Sequence, residues 1–243
     1  MRILIIRHAD PDYAIDSLTE KGWREAKLLA DRFEKEKIDY FYSSPLGRAK
    51  NTCIEVAKRK GMEEQITVQE WLKEFPLRLQ LPGNNKETRV WDILPEYWTN
   101  ESILYDRTRW LDWECYKNAG VKEEYEKVGE NLYALLAKHG YERDGGFFRV
   151  TNSNADTIAF FCHFGIEMVL LSHIFGVSPI PLLHNFAALP SSVTTLYSEE
   201  RREGIASFRC CGFGDMSHLF AAGEEPSFAA RFCERFTDDT RHD

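Results

Sequence analysis

The stretch Ile3-Leu4-Ile5-Ile6-Arg7-His8 decides the fold class of this chain. Its unbroken apolar run is typical of a parallel strand that is covered on both faces. In open α/β sheets, ligands bind beyond the carboxyl ends of the strands. The stretch therefore predicts a buried central strand that delivers Arg7 and His8 to a functional site.

A second stretch repeats this arrangement far along the chain. The apolar run Thr157–Cys162 leads directly into His163-Phe164-Gly165, and an apolar-periodic helix follows. Since the ligand crevice lies at the carboxyl ends of the strands, this run presents a second histidine at the same kind of position as His8. We therefore expect one site built from two strand ends.

Length and charge exclude several classes of protein. The chain has 243 residues, which suits one large α/β domain. Its 31 basic and 39 acidic residues give a formal charge of −8, which argues against a surface for nucleic acid or for an anionic membrane. The start lacks the apolar stretch of a signal peptide, and no run approaches the roughly 20 apolar residues of a membrane span. We expect a soluble cytoplasmic protein whose anionic ligands need a local basic pocket.

The cysteines and the remaining histidines indicate neither a disulfide framework nor a metal site. The cysteines show no CxxC spacing, and a chain of this length needs no disulfides. We expect reduced, mostly buried thiols at Cys53, Cys115, Cys162, Cys210, Cys211 and Cys233. Zinc-hydrolase spacing such as HExxH is absent from the sequence, so no metal or other cofactor is predicted. The histidines without metal spacing are His139, His184, His218 and His242.

Strand and helix patterns alternate in the way that builds an α/β protein with a layered sheet. Thr19 is a predicted N-cap, and the helix after it has apolar residues at helical spacing. Asp39–Tyr42 is predicted as a second strand, and the helix that follows Ser43-Ser44-Pro45 contains Arg48 in its first turn. Further strands are expected at Ile66–Val68, Phe147–Val150, Thr157–Cys162, Ser192–Tyr197 and Ile205–Cys211.

The segment from about residue 76 to 140 differs from the rest of the chain. It contains most of the tryptophans and many charges, but no βαβ pattern. We interpret it as a helical cap insertion whose last helix, near Val121–His139, returns the chain to the sheet. The sequence leaves open whether the insertion is a lid or a dimer surface. Residues 1–243 are predicted as a single domain, with a C-terminal tail that is a surface-packed helix or loop.

Four side chains at the predicted element ends suit phosphoryl transfer. A neutral imidazole nitrogen of His8 can attack phosphorus and hold it covalently, which splits one hard displacement into two easier ones. Arg7 is adjacent, and Arg48 adds a planar guanidinium beside the free N–H groups of its helix. His163 can donate to another phosphoryl oxygen. Together these groups would stabilise the charge of the transferring group.

The same residues carry a family resemblance. Four blocks of this chain resemble, in order and approximate spacing, the motifs of the histidine phosphatase superfamily, also called phosphoglycerate-mutase-like. The blocks are Arg7-His8, Leu18–Gly22, Ser43–Ala49 with Thr52, and His163–Gly165. The resemblance implies a three-layer α/β/α sandwich with a mostly parallel central sheet. It also implies a phosphohistidine at His8 and a metal-free phosphate pocket formed with Arg7, Arg48 and His163.

The resemblance also implies a general acid. In this family it is usually a glutamate after the third strand, which places it at Glu74, with Glu70 as the alternative. The phosphate's negative charge would help to raise the pKa of such a carboxyl. The branch that has an aspartate directly after its second histidine is not indicated, because Phe164 occupies that position.

The loop after His8 departs from the family pattern. Many members have glycine and then polar phosphate donors there, whereas this chain has Ala9-Asp10-Pro11-Asp12-Tyr13. Two carboxylates beside an anion site are unfavourable unless they face away from it or pair with arginine. We hypothesise that this loop narrows the choice of substrate.

The residues favour a phosphatase that hydrolyses a small-molecule phosphomonoester through a phosphohistidine. A phosphoglycerate-type mutase with the same intermediate, and a non-catalytic phospholigand-binding protein, are the alternatives. Hydrolysis is favoured over mutase activity because the loop after His8 differs from that of the glycolytic mutases. The expected partner is a phosphorylated small molecule, with no nucleic acid and no membrane; a homo-oligomer is left open. His173 lies near the apolar face of its helix and is predicted to be a core histidine.

Overall fold

A computed structural model describes residues 1–227 of the chain together with Arg235 and Thr237. Cys233 and the rest of the predicted tail lie outside the described residues. The strands are β1 (Arg2–Arg7), β2 (Pro11–Asp12), β3 (Ser17–Leu18), β4 (Tyr40–Ser43), β5 (Ile66–Val68), β6 (Arg78–Gln80), β7 (Glu87–Arg89), β8 (Tyr141–Asp144), β9 (Phe147–Val150), β10 (Thr157–Cys162), β11 (Val193–Arg202) and β12 (Ile205–Asp215).

In the described residues, the α-helices lie between these strands, except the last one, which follows β12. They are α1 (Glu20–Phe33), α2 (Gly47–Arg59), α3 (Pro95–Trp98), α4 (Glu114–Asn118), α5 (Val121–Lys138), α6 (Phe164–Phe175), α7 (Ile180–Asn185) and α8 (Ser217–Ala222). The predicted N-cap of α1 is confirmed, since the Thr19 hydroxyl accepts a hydrogen bond from the Gly22 amide at 3.0 Å. Across the described residues, no helix combines the length and the apolar character that a bilayer span requires.

One eight-stranded sheet organises the molecule, in the order β5-β4-β10-β1-β11-β12-β9-β8. The strands β5, β4, β10 and β1 pair in parallel. The other half of the sheet, from β11 to β8, pairs antiparallel. The predicted α/β class is confirmed, and the sheet is mixed because the short turns of the β8–β9 and β11–β12 hairpins impose antiparallel pairing.

The central strand β1 is buried on both faces, as its apolar run predicts. Ile3 and Ile5 pack into one cluster with residues of α5 and α6, whereas Leu4 and Ile6 pack into another with α1 and α2. Burying one such side chain stabilises the fold by roughly 1.5–3 kcal/mol. Helices therefore cover both faces of the sheet in the three-layer arrangement.

The segment 76–140 packs into the same core as the sheet. Leu104 and Trp110 are buried in the cluster that includes Ile3 and Ile5. The last helix, α5, matches the predicted one near residues 121–139. The structure adds the hairpin β6–β7, which the expectation of a helical segment omitted, since strands of three residues carry no readable alternation.

Glu25 places a fully buried carboxyl on α1. Its Oε2 accepts a hydrogen bond from the Asp10 amide at 2.9 Å, whereas Oε1 has no partner within the described part of the chain. Burial is the main cause that raises the pKa of Glu25 from 4.5 to about 7, and the Asp10 amide acts in the opposite direction. The folded protein therefore binds this proton more tightly than the unfolded chain does.

Replacing Glu25 with glutamine should remove a pH dependence of stability. In wild type, the protonated Glu25 carboxyl contributes to the free energy of unfolding at acidic pH. This contribution is lost as pH rises from 4.5 to 7, and the loss reaches about 3 kcal/mol above that range. Glutamine does not ionise. The free energy of unfolding of Glu25→Gln, relative to wild type, should therefore increase by up to about 3 kcal/mol between acidic and alkaline pH.

Urea denaturation at about pH 5 and pH 8 measures this difference. Glu34→Gln removes an exposed carboxylate at the C-terminal end of the same helix and is the matched control. Parallel pH curves for wild type and Glu25→Gln would show that the Glu25 carboxyl does not titrate in this way.

Candidate active site

Two histidines meet because β1 and β10 are parallel neighbours. Arg7 lies opposite Cys162 in the register of the two strands, so His8 and His163 follow at the same level. Their ring centroids are 5.0 Å apart at an interplanar angle of 60°. Both side chains are buried, with 2% of His8 and none of His163 exposed. The two predicted strand ends therefore form one site.

The backbone sets the tautomer of His8. Its Nδ1 lies 2.8 Å from the carbonyl oxygen of Ala9, which can only accept, so Nδ1 carries the proton. Burial, and then the neighbouring Arg7, lower the pKa of His8 well below its usual 6.5. His8 is consequently neutral near pH 7, with a lone pair on Nε2.

His163 is held by a residue that follows the neighbouring strand β4. Its Nε2 lies 2.9 Å from the hydroxyl of Ser44, the residue that follows β4. That hydroxyl also accepts a hydrogen bond from the Leu46 amide at 3.2 Å. Burial, and then His8, lower the pKa of His163 well below its usual value. The Ser-Ser-Pro turn therefore orients the second histidine as well as opening α2.

Arg7 and Arg48 bring positive charge to the histidine pair. Arg7 is 3% exposed and donates from Nη1 to the carbonyl of Ala188 at 2.5 Å. The charges of both arginines contribute to the low pKa of His8. In the described part of the chain, the buried side-chain nitrogens without a hydrogen-bond partner include Arg7 Nε, Arg48 Nε and His163 Nδ1. The unpartnered, buried Nε–H donors of Arg7 and Arg48 fit an anion that is bound during function.

The two candidates for the general acid differ in burial and in hydrogen-bond partners. Burial raises the pKa of Glu74, while the Phe75 amide and the Arg7 charge act against this. Glu74 Oε1 accepts hydrogen bonds from the amides of Phe75 at 2.8 Å and Ile166 at 3.1 Å. Glu70, by contrast, is 73% exposed and pairs with Lys73 at 2.6 Å. Glu74 is thus buried and held by two backbone amides, whereas Glu70 is exposed and forms a surface ion pair.

Gly165 allows the cap segment to reach the site. A Cβ added there would lie 2.7 Å from Glu74 Oε1 and 2.7 Å from Trp91 Cδ1, so any larger residue would displace one of them. Trp91 also packs edge-on against Phe164, with ring centroids 6.2 Å apart. One tryptophan of the segment 76–140 therefore adjoins the carboxyl, while Trp98 and Trp110 are core residues with 6% and 3% exposed.

The loop after His8 turns its first carboxylate away from the histidines. Asp10 accepts a hydrogen bond from the Thr19 hydroxyl at 2.6 Å and another from the Ser227 hydroxyl. Asp12 accepts from the Ala14 amide at 3.0 Å, within its own turn. The Ala9 amide donates to the Thr52 hydroxyl at 3.0 Å, which anchors the loop to α2. Within the described residues, the Asp10 carboxylate is thus hydrogen-bonded by hydroxyl groups and forms no ion pair with arginine.

Sequence reasoning missed two residues that lie near this site. Glu167 is 1% exposed on α6, and burial is the main cause that raises its pKa to about 8. The signal for it was a single charged residue within the otherwise apolar start of α6. Asp16 pairs with Arg48 at 2.7 Å, and no local pattern indicates this contact. His173, predicted as a core histidine, is buried and hydrogen-bonded to the carbonyl of Tyr125 at 2.9 Å.

The fold and the histidine pair at adjacent strand ends define the phosphoglycerate-mutase-like class of α/β proteins. The family model of the histidine phosphatase superfamily (branch 1) matches residues 3–210. This chain therefore belongs to that superfamily, as the four sequence blocks predict.

Two curated relatives come from Hydrogenobacter thermophilus. Phosphoserine phosphatase 1 is 35% identical over 72 residues, which are 26% of this chain and 34% of the relative. Putative phosphoserine phosphatase 2 is 38% identical over 102 residues, which are 38% of this chain and 47% of the relative. The chain therefore matches less than half of the length of either relative.

Solved structures share the fold at lower sequence identity. A mutant phosphoserine phosphatase from Entamoeba histolytica, in complex with phosphoserine, has a TM-score of 0.57 and 20% identity, covering 90% of this chain and 98% of that one. A mycobacterial glucosyl-3-phosphoglycerate phosphatase, in complex with VO3, has a TM-score of 0.54 and 19% identity, covering 87% and 98%. These similarities confirm the predicted α/β architecture.

Proposed function

We propose that this protein hydrolyses small-molecule phosphomonoesters through a phosphohistidine at His8. The observation that carries the proposal is the 2.8 Å contact of His8 Nδ1 with the Ala9 carbonyl, because it leaves Nε2 unprotonated within the buried, arginine-flanked pair. A neutral imidazole held in this way is an activated nucleophile. The family membership and the names of the relatives support the same chemistry.

The first step forms a bond between His8 Nε2 and phosphorus and breaks the bond between phosphorus and the ester oxygen. Glu74 in its protonated form gives its proton to that oxygen, so the alcohol leaves neutral. Arg7, Arg48 and His163 stabilise the charge on the remaining phosphoryl oxygens.

The second step releases inorganic phosphate. Water attacks phosphorus, the bond to His8 Nε2 breaks, and the Glu74 carboxylate takes a proton from the water. His8 and Glu74 return to their starting protonation states. Transfer of the phosphoryl group to an organic hydroxyl in place of water would give the mutase alternative with the same residues.

A cavity of about 310 Å³ beside Glu74 provides space for the leaving group. Its walls include Leu46 and Ile166, which follow parallel strands, and also Glu124 and Lys127 of α5. Apolar and charged groups line the cavity together, so a small leaving group that carries charge fits it. Phosphoserine and phosphoglycerate-type esters, which appear in the names of the relatives, are therefore the first substrates to test.

The test is release of inorganic phosphate from a panel of phosphomonoesters in the presence of a chelator. The panel includes phosphoserine, 3-phosphoglycerate and an aryl phosphate, and it compares wild type with His8→Ala. Release that depends on His8 is expected. Isomerisation of 3-phosphoglycerate without release would favour the mutase, and activity on no compound would favour a phospholigand-binding role.

Replacing Glu74 with glutamine should slow hydrolysis by an amount that depends on the leaving group of the substrate. An alkoxide leaves only with a proton, whereas an aryl oxide leaves without one. Loss of the general acid should therefore lower the rate of phosphoserine hydrolysis about 10²–10³-fold and change the rate of aryl phosphate hydrolysis little. The activity that requires a protonated Glu74 falls as pH rises through its raised pKa, so this alkaline limb should vanish in the variant.

Steady-state kinetics across pH on both substrates measures these effects. Glu64→Gln is the matched control, because it removes an exposed carboxylate that does not line the cavity beside Glu74. If Glu74→Gln hydrolysed the alkyl ester at the wild-type rate, the assignment of Glu74 as the acid would fall.

A further inference from the structure

The turn 13–16 between β2 and β3 contacts Arg48 in two ways. Asp16 Oδ1 accepts a hydrogen bond from Arg48 Nη1 at 2.7 Å, and its Oδ2 accepts another from the Gly47 amide at 2.7 Å. The ring of Tyr13 lies against the guanidinium of Arg48, with 5.3 Å between the ring centroid and Cζ. One turn thus holds both an edge and a face of this side chain.

The backbone is built for this contact. Asp16 adopts the left-handed conformation with φ of 46°, which is unfavourable for most residues and is better tolerated by aspartate. A Cβ at position 47 would lie 1.9 Å from the carbonyl oxygen of Asp16, so only glycine permits the turn to approach α2 this closely. Conformational strain that is held by such close packing often marks a functional element.

The contacts leave a defined part of Arg48 available. Asp16 occupies Nη1, and Tyr13 covers one face, so the edge formed by Nε and Nη2 remains for a bidentate ligand. The Nε atom is buried and has no partner within the described part of the chain. The side chain of Arg48 as a whole is 12% exposed. Its guanidinium is therefore oriented before any ligand binds, which reduces the entropy lost on binding.

We propose that Asp16 and Tyr13 are positioning residues that fix the guanidinium of Arg48 for bidentate binding of the substrate's phosphate. The proposal rests on the phosphate-binding role given to Arg48 in the proposed function. The carboxylate has two opposing effects: its negative charge weakens the attraction of Arg48 for an anion, whereas its hydrogen bond orients the guanidinium. Positioning dominates in this proposal, so removal of the charge weakens phosphate binding.

Binding of inorganic phosphate, measured by isothermal titration calorimetry, tests the proposal without requiring turnover. Asp16→Asn should weaken binding about tenfold in the wild-type background and should have no effect in an Arg48→Ala background. Tyr13→Ala should weaken binding, whereas Tyr13→Phe keeps the ring and should not. Asp12→Asn, which removes the other carboxylate next to this turn, is the matched control.

Three results would overturn the proposal. Equal or tighter phosphate binding by Asp16→Asn would show that the negative charge of Asp16 affects Arg48 more than its orienting hydrogen bond does. The same loss in wild-type and Arg48→Ala backgrounds would show a general structural effect. Unchanged binding by Arg48→Ala would remove the phosphate role itself. Phosphatase activity that survived in His8→Ala would instead contradict the proposed function. The phosphate-binding experiment would still test the positioning role of Asp16 and Tyr13.

Discussion

Replacing His8 with alanine should reduce turnover by about 10⁴-fold or more. The variant lacks the imidazole whose Nε2 is left unprotonated by the contact of Nδ1 with the Ala9 carbonyl, so the covalent route through His8 is closed. Residual rate would come from substrate binding and from the positive charge that remains. Initial rates of phosphate release on the preferred substrate measure the loss.

The covalent intermediate gives a second readout of the same variant. Wild type mixed with radiolabelled substrate and quenched in alkali should retain protein-bound phosphate that is lost in acid, as expected of a phosphohistidine, and His8→Ala should retain none. His173→Gln removes another buried histidine, one that bonds to Tyr125 away from the site, and should keep both turnover and labelling. Equal labelling of His8→Ala would place the phosphoryl group on another residue.

Replacing Arg7 with alanine should lower kcat/KM by about 10³-fold. Arg7 is almost fully buried, and its Nε has no partner within the described residues. A fixed guanidinium in a water-poor site stabilises developing phosphoryl charge without reorganisation. Arg7→Lys should recover only part of the loss, because an ammonium group is a point charge and cannot form two parallel hydrogen bonds to phosphate.

Kinetics at several substrate concentrations, together with thermal unfolding, distinguish catalysis from folding. Arg7→Ala also removes the hydrogen bond to Ala188, so a lower melting temperature is expected. Arg32→Lys is the control, because Arg32 is a partly buried arginine of α1 that pairs with Asp215 at 2.6 Å. If Arg7→Lys kept kcat/KM within about threefold of wild type, the bidentate role of Arg7 would be wrong.

The sequence could predict the central strand and the histidine positions for a local reason. A strand buried on both faces has no alternation of polar and apolar residues, so the continuous apolar run from Ile3 to Ile6 is recognisable as a central strand. The same holds for Thr157–Cys162, where every residue is buried. Because parallel strands end at one edge of the sheet, the residues that follow two such runs, His8 and His163, are brought together.

The antiparallel half of the sheet was only partly readable. The strands β11 and β12 were predicted, but both are longer than expected. The strand β8 was missed, since its polar residues Glu142, Arg143 and Asp144 hide the alternation. Edge strands of this kind are stabilised by pairing with a neighbour more than by their own composition.

By itself, the sequence determined the α/β class, the family and the strand ends that carry Arg7, His8 and His163, because these depend on apolar periodicity and on short motifs. Only the tertiary structure distinguished the surroundings of Glu74 and Glu70, which lie four residues apart in one segment but differ in burial and in partners. It alone also joined Asp16 to Arg48, which are 32 residues apart. Contacts between residues so far apart depend on how helices and strands pack in space, and a local sequence pattern does not predict that packing.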